Sequence, residues 1–249
     1  MKNFFNNVGS IRLKNKYNQA VYTIGSIKDI TNVIIPHFTN YPLITKKNVD
    51  FILFKSVVEL INKDEHLTLE GLNKIINIKA SINKGLSDKL NNHIKSHSIF
   101  NINPVDKPIT KVPNNISFNW LAGFVCAEGS FYVTISKNKK SKNGHNITLG
   151  FDLAQHYRDL VLMKKIHNHL TCGNLKIINF TVIITTTKLI DILNKIIPLF
   201  QQYNIQGKKL LDFLDFCKIA IIMKEKKHLT NTGLLQIKKI KLGMNKNRK

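Results

Sequence analysis

IIPHFTNY, residues 34–41, and IIPLFQQY, residues 196–203, stand 162 positions apart, and the match runs without a gap from Ile34–Lys79 onto Ile196–Lys241. Lys46 and Lys47 fall on Lys208 and Lys209, Asp50-Phe51 on Asp212-Phe213, and Phe54 on Phe216. His66-Leu67-Thr68 falls on His228-Leu229-Thr230, and Gly71-Leu72 on Gly233-Leu234. Chance rarely aligns Pro, Tyr, Gly and a lysine pair together, so the chain reads as one structural unit written twice. Between the copies, SHSIFNINPVDKPITKVPNNIS (96–117) carries three prolines among polar residues and reads as an extended linker. The organisation expected is a first copy over 1–95, a linker over 96–116, and a second copy over 117–249.

The second copy shows the whole pattern. Phe118–Ala127 is apolar and helix-compatible, with Asn115 or Ser117 placed to cap it. SFYVTIS (130–136) then alternates, as do Ile147, Leu149, Phe151 and Leu153 with Asn146, Thr148, Gly150 and Asp152. Period two predicts a hairpin apolar on one face and polar on the other, joined by KNKKSKNGHN (137–146). Asp159–Leu170 has helical spacing, and Cys172-Gly173 turns into a second hairpin over Leu175–Ile184. Thr186 or Thr187 can cap a helix running to Tyr203, and helices follow over Lys209–Lys224 and after Thr230. The first copy enters this scheme only at its second hairpin, Val8–Leu13 and Ala20–Ile24. The fold class is therefore α+β, with antiparallel hairpins backed by helices.

A formal net charge of +23, from 38 Lys+Arg against 15 Asp+Glu, asks for a polyanionic partner, because such self-repulsion is costly without counter-charge. Nucleic acid leads, an anionic membrane surface is second, and an ordinary solvated basic surface is the plain alternative. Arginine occurs only at Arg12, Arg158 and Arg248, and the Lys, Asn and Ile bias matches an AT-rich gene. With 43% hydrophobic residues the chain can bury a core. Cys126, Cys172 and Cys217 form no C-x-x-C pair, so a disulfide framework or zinc ribbon is not indicated and a reducing compartment fits. His93/His97 and His167/His169 lack the Cys or carboxylate neighbours of a metal site. No uncharged apolar run reaches the ~18 residues of a membrane span, and MKNFFNNVGS lacks a signal-peptide core.

Strand alternation puts Arg12, Lys14 and Lys16 on one side of the first copy's hairpin, and Tyr132, Thr134, Asn146 and Thr148 on the polar face of the second. A broad polar sheet face edged by basic loops suits a duplex. The strand residues are placed to reach base edges. The loop lysines Lys137, Lys139, Lys140 and Lys142, in a glycine-containing and mobile loop, are expected to contact the phosphate backbone.

WLAGFVCAEGSF (120–131) carries the chemistry. Gly123 and Ala127, four apart, permit close approach of a second helix. Glu128 ends the helix as a buried acid, with Gly129 expected as a left-handed terminator. A carboxylate at this end faces the negative pole of the helix dipole, at a cost of about 0.3–1 kcal/mol that a bound cation would offset. A solvated Glu at a core helix is the competing reading.

LAGFVCAEG (121–129) resembles the signature of the LAGLIDADG homing endonucleases and intron maturases of organellar genomes. FDLAQHYRDLVLMKKIHNHLTCGNLKI, IIPLFQQYNIQGKKLLDF and KKHLTNTGLLQIKKIK resemble that family's later blocks, as do IIPHFTNYPLITKKNVDFILF and HLTLEGLNKIINIKASINKGLS in the first copy. The resemblance implies two pseudo-symmetric αββαββα units with saddle-shaped antiparallel sheets lying on double-stranded DNA. Here the first unit would lack its signature helix and first hairpin. It further implies that Glu128 is a metal-holding catalytic acid for Mg²⁺ or another divalent cation. Lys209, its repeat partner Lys47, and Gln155 match the lysine and central polar positions. Cys126 replaces an acid common two positions before the metal ligand.

The resemblance implies an intron-encoded, metal-dependent DNA endonuclease of mitochondrial, fungal-type origin. A maturase binding its own intron RNA, an inactive DNA-binding remnant and a basic ribosomal component are the alternatives. The offset would place the partner of Leu121 about forty residues before Met1, so one such acid is present where a two-strand reaction needs two. The chain is expected as a monomer or weak homodimer with no double-strand cleavage by the monomer.

Overall fold

The computed structural model describes residues 2–17, 19–97, 100–141 and 143–248, and the chain divides into two compact units, 1–112 and 113–249. In the first unit, β1 (Ser10–Lys14) and β2 (Gln19–Thr23) form an antiparallel hairpin with Arg12 opposite Val21. Helix α1 spans 27–40, followed by α2 (Lys47–Asn62), α3 (Leu69–Ser81) and α4 (Asp88–His97). Val49, Leu53 and Ile78 make a small core, with Val57, Leu60, Ile82 and Val105 against it. The segment expected as a free linker is without helix or strand over 100–112, but it packs on its own unit. Ser81 Oγ donates to the Val105 carbonyl at 2.7 Å, and Asn103 N–H donates to Asn77 Oδ1 at 2.9 Å.

The second unit opens on α5 (Phe118–Glu128) and continues as β3 (Gly129–Lys137), β4 (His145–His156) and α6 (Leu160–Leu170). β5 (Asn174–Ile178) and β6 (Thr181–Thr186) follow, then α7 over 189–202, α8 (Lys208–Lys224) and α9 (Asn231–Leu242). The sheet is antiparallel in the order β3-β4-β6-β5. Phe131, Val133, Leu149, Phe151, Leu153, Val182 and Ile184 line its apolar face, all under 5% exposed. Phe131 sits at the centre, with ring centroids 5.1–5.8 Å from Phe151, Phe200, Phe213 and Phe216. Burying each such side chain contributes about 1.5–3 kcal/mol, which fixes the register and so decides which face stays polar.

The duplication is repeated in the local geometry. α1 and α7 each contain one π-helical turn, Ile30–Ile34 and Ile192–Ile196, closed by Ile35 N–H to Ile30 O and by Ile197 N–H to Ile192 O. Pro36 and Pro198 follow directly; a proline ring clashes with the carbonyl four residues back, and widening the turn relieves that clash. Thr68 and Thr230 each cap the following helix through the Gly71 and Gly233 N–H groups, at 3.0 and 3.1 Å. A Cβ on either glycine would stand about 2 Å from the Glu65 or Lys227 carbonyl oxygen, so only glycine fits. Asp50 and Asp212 accept from the backbone of Asn83 and Asn245, both at 2.9 Å, and both asparagines adopt left-handed φ near 55°.

Four local expectations are corrected. Ser117 holds the N-cap position of α5, but its side chain makes no capping bond. Lys188, not Thr186 or Thr187, precedes α7, and Thr186 is buried at the end of β6. Lys16 lies in a 3₁₀ turn, Asn15–Tyr17, rather than on β1, so strand alternation does not align it with Arg12 and Lys14. Gly129 has φ −81° and ψ 157°, extended rather than left-handed.

Candidate nucleic-acid interface and acidic site

α5 delivers Glu128 to one end of the sheet. Leu121, Ala122 and Val125 bury one side of the helix, while Gly123, Ala127 and Glu128 are exposed. The expected burial of Glu128 is thereby corrected: its carboxylate reaches solvent and makes no ion pair among the described residues. Gly129 is required by crowding, since a Cβ would stand 2.6 Å from Val125 Cγ1 and 2.7 Å from the Val125 carbonyl oxygen. The helix therefore passes directly into β3 with no loop between them, and Glu128 occupies the junction.

Lys209 is the second member of the site. Its Nζ donates to the Gly129 carbonyl at 2.6 Å, one residue from Glu128, and so places a cation at the negative end of α5. Lys47, its repeat partner, turns back on its own helix, donating to Asp50 Oδ2 at 3.2 Å and Asn83 Oδ1 at 2.6 Å. Gln155 lies on β4 two residues past Leu153, the partner of Gly129, and so at the same end of the sheet as Glu128. Its Oε1 accepts from the His156 N–H at 2.8 Å. Cys126 Sγ accepts from the Gln206 N–H at 3.2 Å. An open cleft beside this end is lined by Cys126, Gly207, Lys208, Lys209 and Lys246.

The polar face forms as alternation predicts. Tyr132 is opposite Gly150, Thr134 opposite Thr148, and Ser136 opposite Asn146, so the four residues expected to read bases share one face. The Thr134 hydroxyl is 3.5 Å from the Thr148 carbonyl, and Asn146 Nδ2 is 3.4 Å from Thr148 Oγ1. Tyr132 is not free: its ring lies over Gly150 and its hydroxyl donates to Asp152 Oδ1 at 3.3 Å. Burial, then the Asp152 charge and hydrogen bond, push the Tyr132 phenol up to about 12, so it remains a donor at neutral pH.

Lys137, Lys139 and Lys140 are exposed around the β3–β4 loop, and Lys142 falls outside the described residues. The described part of the loop is tied down at Asn143. Asn143 Nδ2 donates to the His228 carbonyl at 2.8 Å, and Asn143 Oδ1 accepts from Ser141 Oγ and the His145 N–H. In the first unit, Arg12 and Lys14 are exposed two residues apart on β1. Sequence reasoning passed over Asp152 and Lys176, both legible from strand alternation. It also passed over Lys241 and Lys246, which line a cleft with Ser130 and Tyr132 and are brought there only by tertiary structure. Among the described residues no three His, Cys, Asp or Glu side chains gather around one point, and no helix is long and apolar enough to cross a membrane.

The second unit thus joins a polar antiparallel face to an exposed acid at the helix–strand junction, within an α+β pattern that the chain carries twice. The LAGLIDADG endonuclease model matches residues 1–58 and 121–220, and the chain belongs to that family. "Probable intron-encoded endonuclease 3" of Neurospora crassa is 39% identical over 242 residues, 95% of this chain and 44% of the relative. "Probable intron-encoded endonuclease 2" of the same organism is 36% identical, over 99% of this chain and 57% of the relative. The chain thus spans about half the length of these curated relatives. Among solved structures, the I-SmaMI LAGLIDADG homing endonuclease bound to cleaved DNA superposes with a TM-score of 0.93 at 42% identity, covering 100% of this chain and 81% of that one. The same enzyme bound to uncleaved DNA in the presence of calcium ions gives 0.90 at 42% identity, covering 98% and 81%.

Proposed function

We propose that the chain is a DNA-binding part of an intron-encoded homing endonuclease, with Glu128 as a metal-holding acid. The observation that carries the proposal is the junction itself: an exposed carboxylate at the end of α5 with no ion pair among the described residues, Lys209 bound to the next carbonyl, and beside them a sheet whose outer face is polar. The likeness to DNA-bound homing endonucleases over the whole chain supports it. The domain division that goes with this reading is a first repeat over 1–95, a connecting segment over 96–116 and a second repeat over 117–249.

The residues present fit a divalent cation. Mg²⁺ is held by one or two carboxylates plus substrate phosphate rather than by a closed protein cage, so the absence of a three-ligand cluster among the described residues is compatible with it. Glu128 would supply the carboxylate. Such an ion neutralises charge developing on the phosphate and lowers the pKa of bound water. Lys209 holds the helix–strand junction and contributes positive charge there, and Gln155 stands at the same sheet end as a hydrogen-bonding group. Arg12, Lys14, Lys16, Lys137, Lys139, Lys140 and Lys142 would contact phosphates, while Thr134, Asn146 and Thr148 face base edges. Relatives named for cox1 and ND4 introns support an organellar, mitochondrial origin.

Residues 1–249 contain one acid of this type, so a monomer of them is expected to bind DNA without making double-strand breaks. The test is a Mg²⁺ cleavage assay across a library of duplexes, run beside a solution-mass measurement. Double-strand cleavage by a proven monomer would show that the single-acid reading is wrong. Any cleavage by an assembly should disappear in Glu128→Gln while binding persists; cleavage surviving in that variant would remove Glu128 from the site.

A further inference from the structure

The four strands of the second unit carry one carboxylate between them, Asp152, and strand register places it in the middle of the polar face. Ser130 lies directly opposite on β3 and Thr185 directly opposite on β6, both short and neutral. Among the described residues no Lys or Arg forms an ion pair with it, although the chain carries a net +23. Its partner is Tyr132, whose hydroxyl donates to Oδ1 at 3.3 Å. That ring can lie flat across the strands only because position 150 is glycine: a Cβ there would stand 2.3–2.6 Å from the ring and its hydroxyl. Three residues thus cooperate to aim one carboxylate outward from the sheet, with its second oxygen left without a protein donor among the described residues.

A carboxylate on a phosphate-binding face weakens every phosphate contact nearby, so its placement makes sense only towards a donor. Base edges in the major groove offer two, the amino groups of cytosine and adenine. The adenine amino group lies between two acceptors, its own N7 and the thymine O4, both of which repel a carboxylate. The cytosine amino group has an acceptor, guanine O6, on one side and only a C–H on the other. Resting on the DNA-binding reading above, we propose that Asp152 is a specificity-determining residue that accepts a hydrogen bond from a cytosine amino group, and that Tyr132, seated on Gly150, is the positioning residue that holds it.

The substitution Asp152→Asn makes a sharp prediction. An amide keeps the bond from Tyr132 but replaces a pure acceptor by a donor–acceptor pair, which matches adenine N6 and N7. Duplexes selected from a randomised pool by the 249-residue chain should share cytosine at one position. The Asp152→Asn variant should lose about 5- to 150-fold in affinity for that cytosine and prefer adenine there. Preferences elsewhere, and the dependence of affinity on salt, should stay as they were. Tyr132→Phe, which retains the carboxylate but frees its rotamer, should weaken the cytosine preference without changing its identity. Recovery of the same site with the same weights by Asp152→Asn, in a variant that melts like the parent, overturns the assignment and leaves DNA binding intact. A uniform loss across all sequences also overturns it, because that is the behaviour of a phosphate contact or of a damaged fold. A parent chain that selects no sequence and binds DNA independently of salt would overturn this inference together with the DNA-binding reading.

Discussion

Replacing Gly129 by alanine tests how the acid is positioned. Its backbone, φ −81° and ψ 157°, is open to any residue, so the cost of a side chain there is steric rather than conformational. The added Cβ would meet Val125 Cγ1 at 2.6 Å, the Val125 carbonyl oxygen at 2.7 Å and Val125 Cα at 3.2 Å. Reaching ordinary contact with the oxygen requires a displacement of about 0.7 Å, and two of the three atoms in the way are helix backbone. Overpacking of this kind costs about 1–3 kcal/mol. In a chain of this size each kcal/mol lowers the melting midpoint by about 2–4 °C. The displaced atoms carry Glu128 and the carbonyl that Lys209 holds, so any metal-dependent activity should fall more than stability does. Thermal and urea denaturation of Gly129→Ala and Gly129→Asn beside the parent would measure this. Asparagine tolerates a left-handed conformation better than alanine does, whereas in an extended one it is the larger intruder. Gly129→Asn should therefore be at least as destabilised as Gly129→Ala. Rescue by asparagine would refute the steric argument and restore the helix-terminator reading.

Other outcomes follow from the same geometry. Thr68→Ala and Thr230→Ala should each cost about 1 kcal/mol, and similar amounts, because the two caps repeat one another; denaturant titration would show it. Arg248→Ala removes bonds to Asp212 at 3.1 Å and Asp215 at 2.6 Å and should cost about 1–3 kcal/mol in the same assay. Burial raises the Asp215 carboxyl, but Lys218 and Arg248 outweigh it and hold it below its ordinary 3.8. The stability this provides is present above about pH 4 and lost as pH falls through the lowered value, and Arg248→Ala should flatten that acid-side loss. Lys139→Ala with Lys140→Ala should weaken binding to all duplexes alike and reduce the salt slope by about 2, whereas a loss confined to one target would count against phosphate contact.

Much of this was legible in the sequence because it rests on periodicity. Alternation through 130–136 and 147–153 fixed which residues are buried, and the 162-residue repeat fixed the order of helices after each second hairpin. The candidate acidic end of α5 was readable from Glu128, whose position at a helix terminus is unfavourable without a counter-charge. Gly129 was misjudged because glycine answers two different needs, a left-handed turn and close approach, with the same letter. Lys16 was misplaced because strand ends are set by turn geometry, which charge does not encode. The anchoring of the Lys-rich loop depends on Asn143 meeting the His228 carbonyl 85 residues later, and the Tyr132–Asp152 pair depends on a ring lying across Gly150. Such contacts are tertiary and leave no periodic trace.

If duplex DNA lies on the polar face of the second unit's sheet, site-directed photo-crosslinking will capture it there. A photoreactive side chain would be placed at Thr134 on that face, or at Leu235 on α9, a helix of the same unit whose residue 235 is 64% exposed. Crosslinks to DNA are expected from position 134, lost as salt is raised, with background levels from position 235. Crosslinking from position 235 with none from position 134 would contradict it.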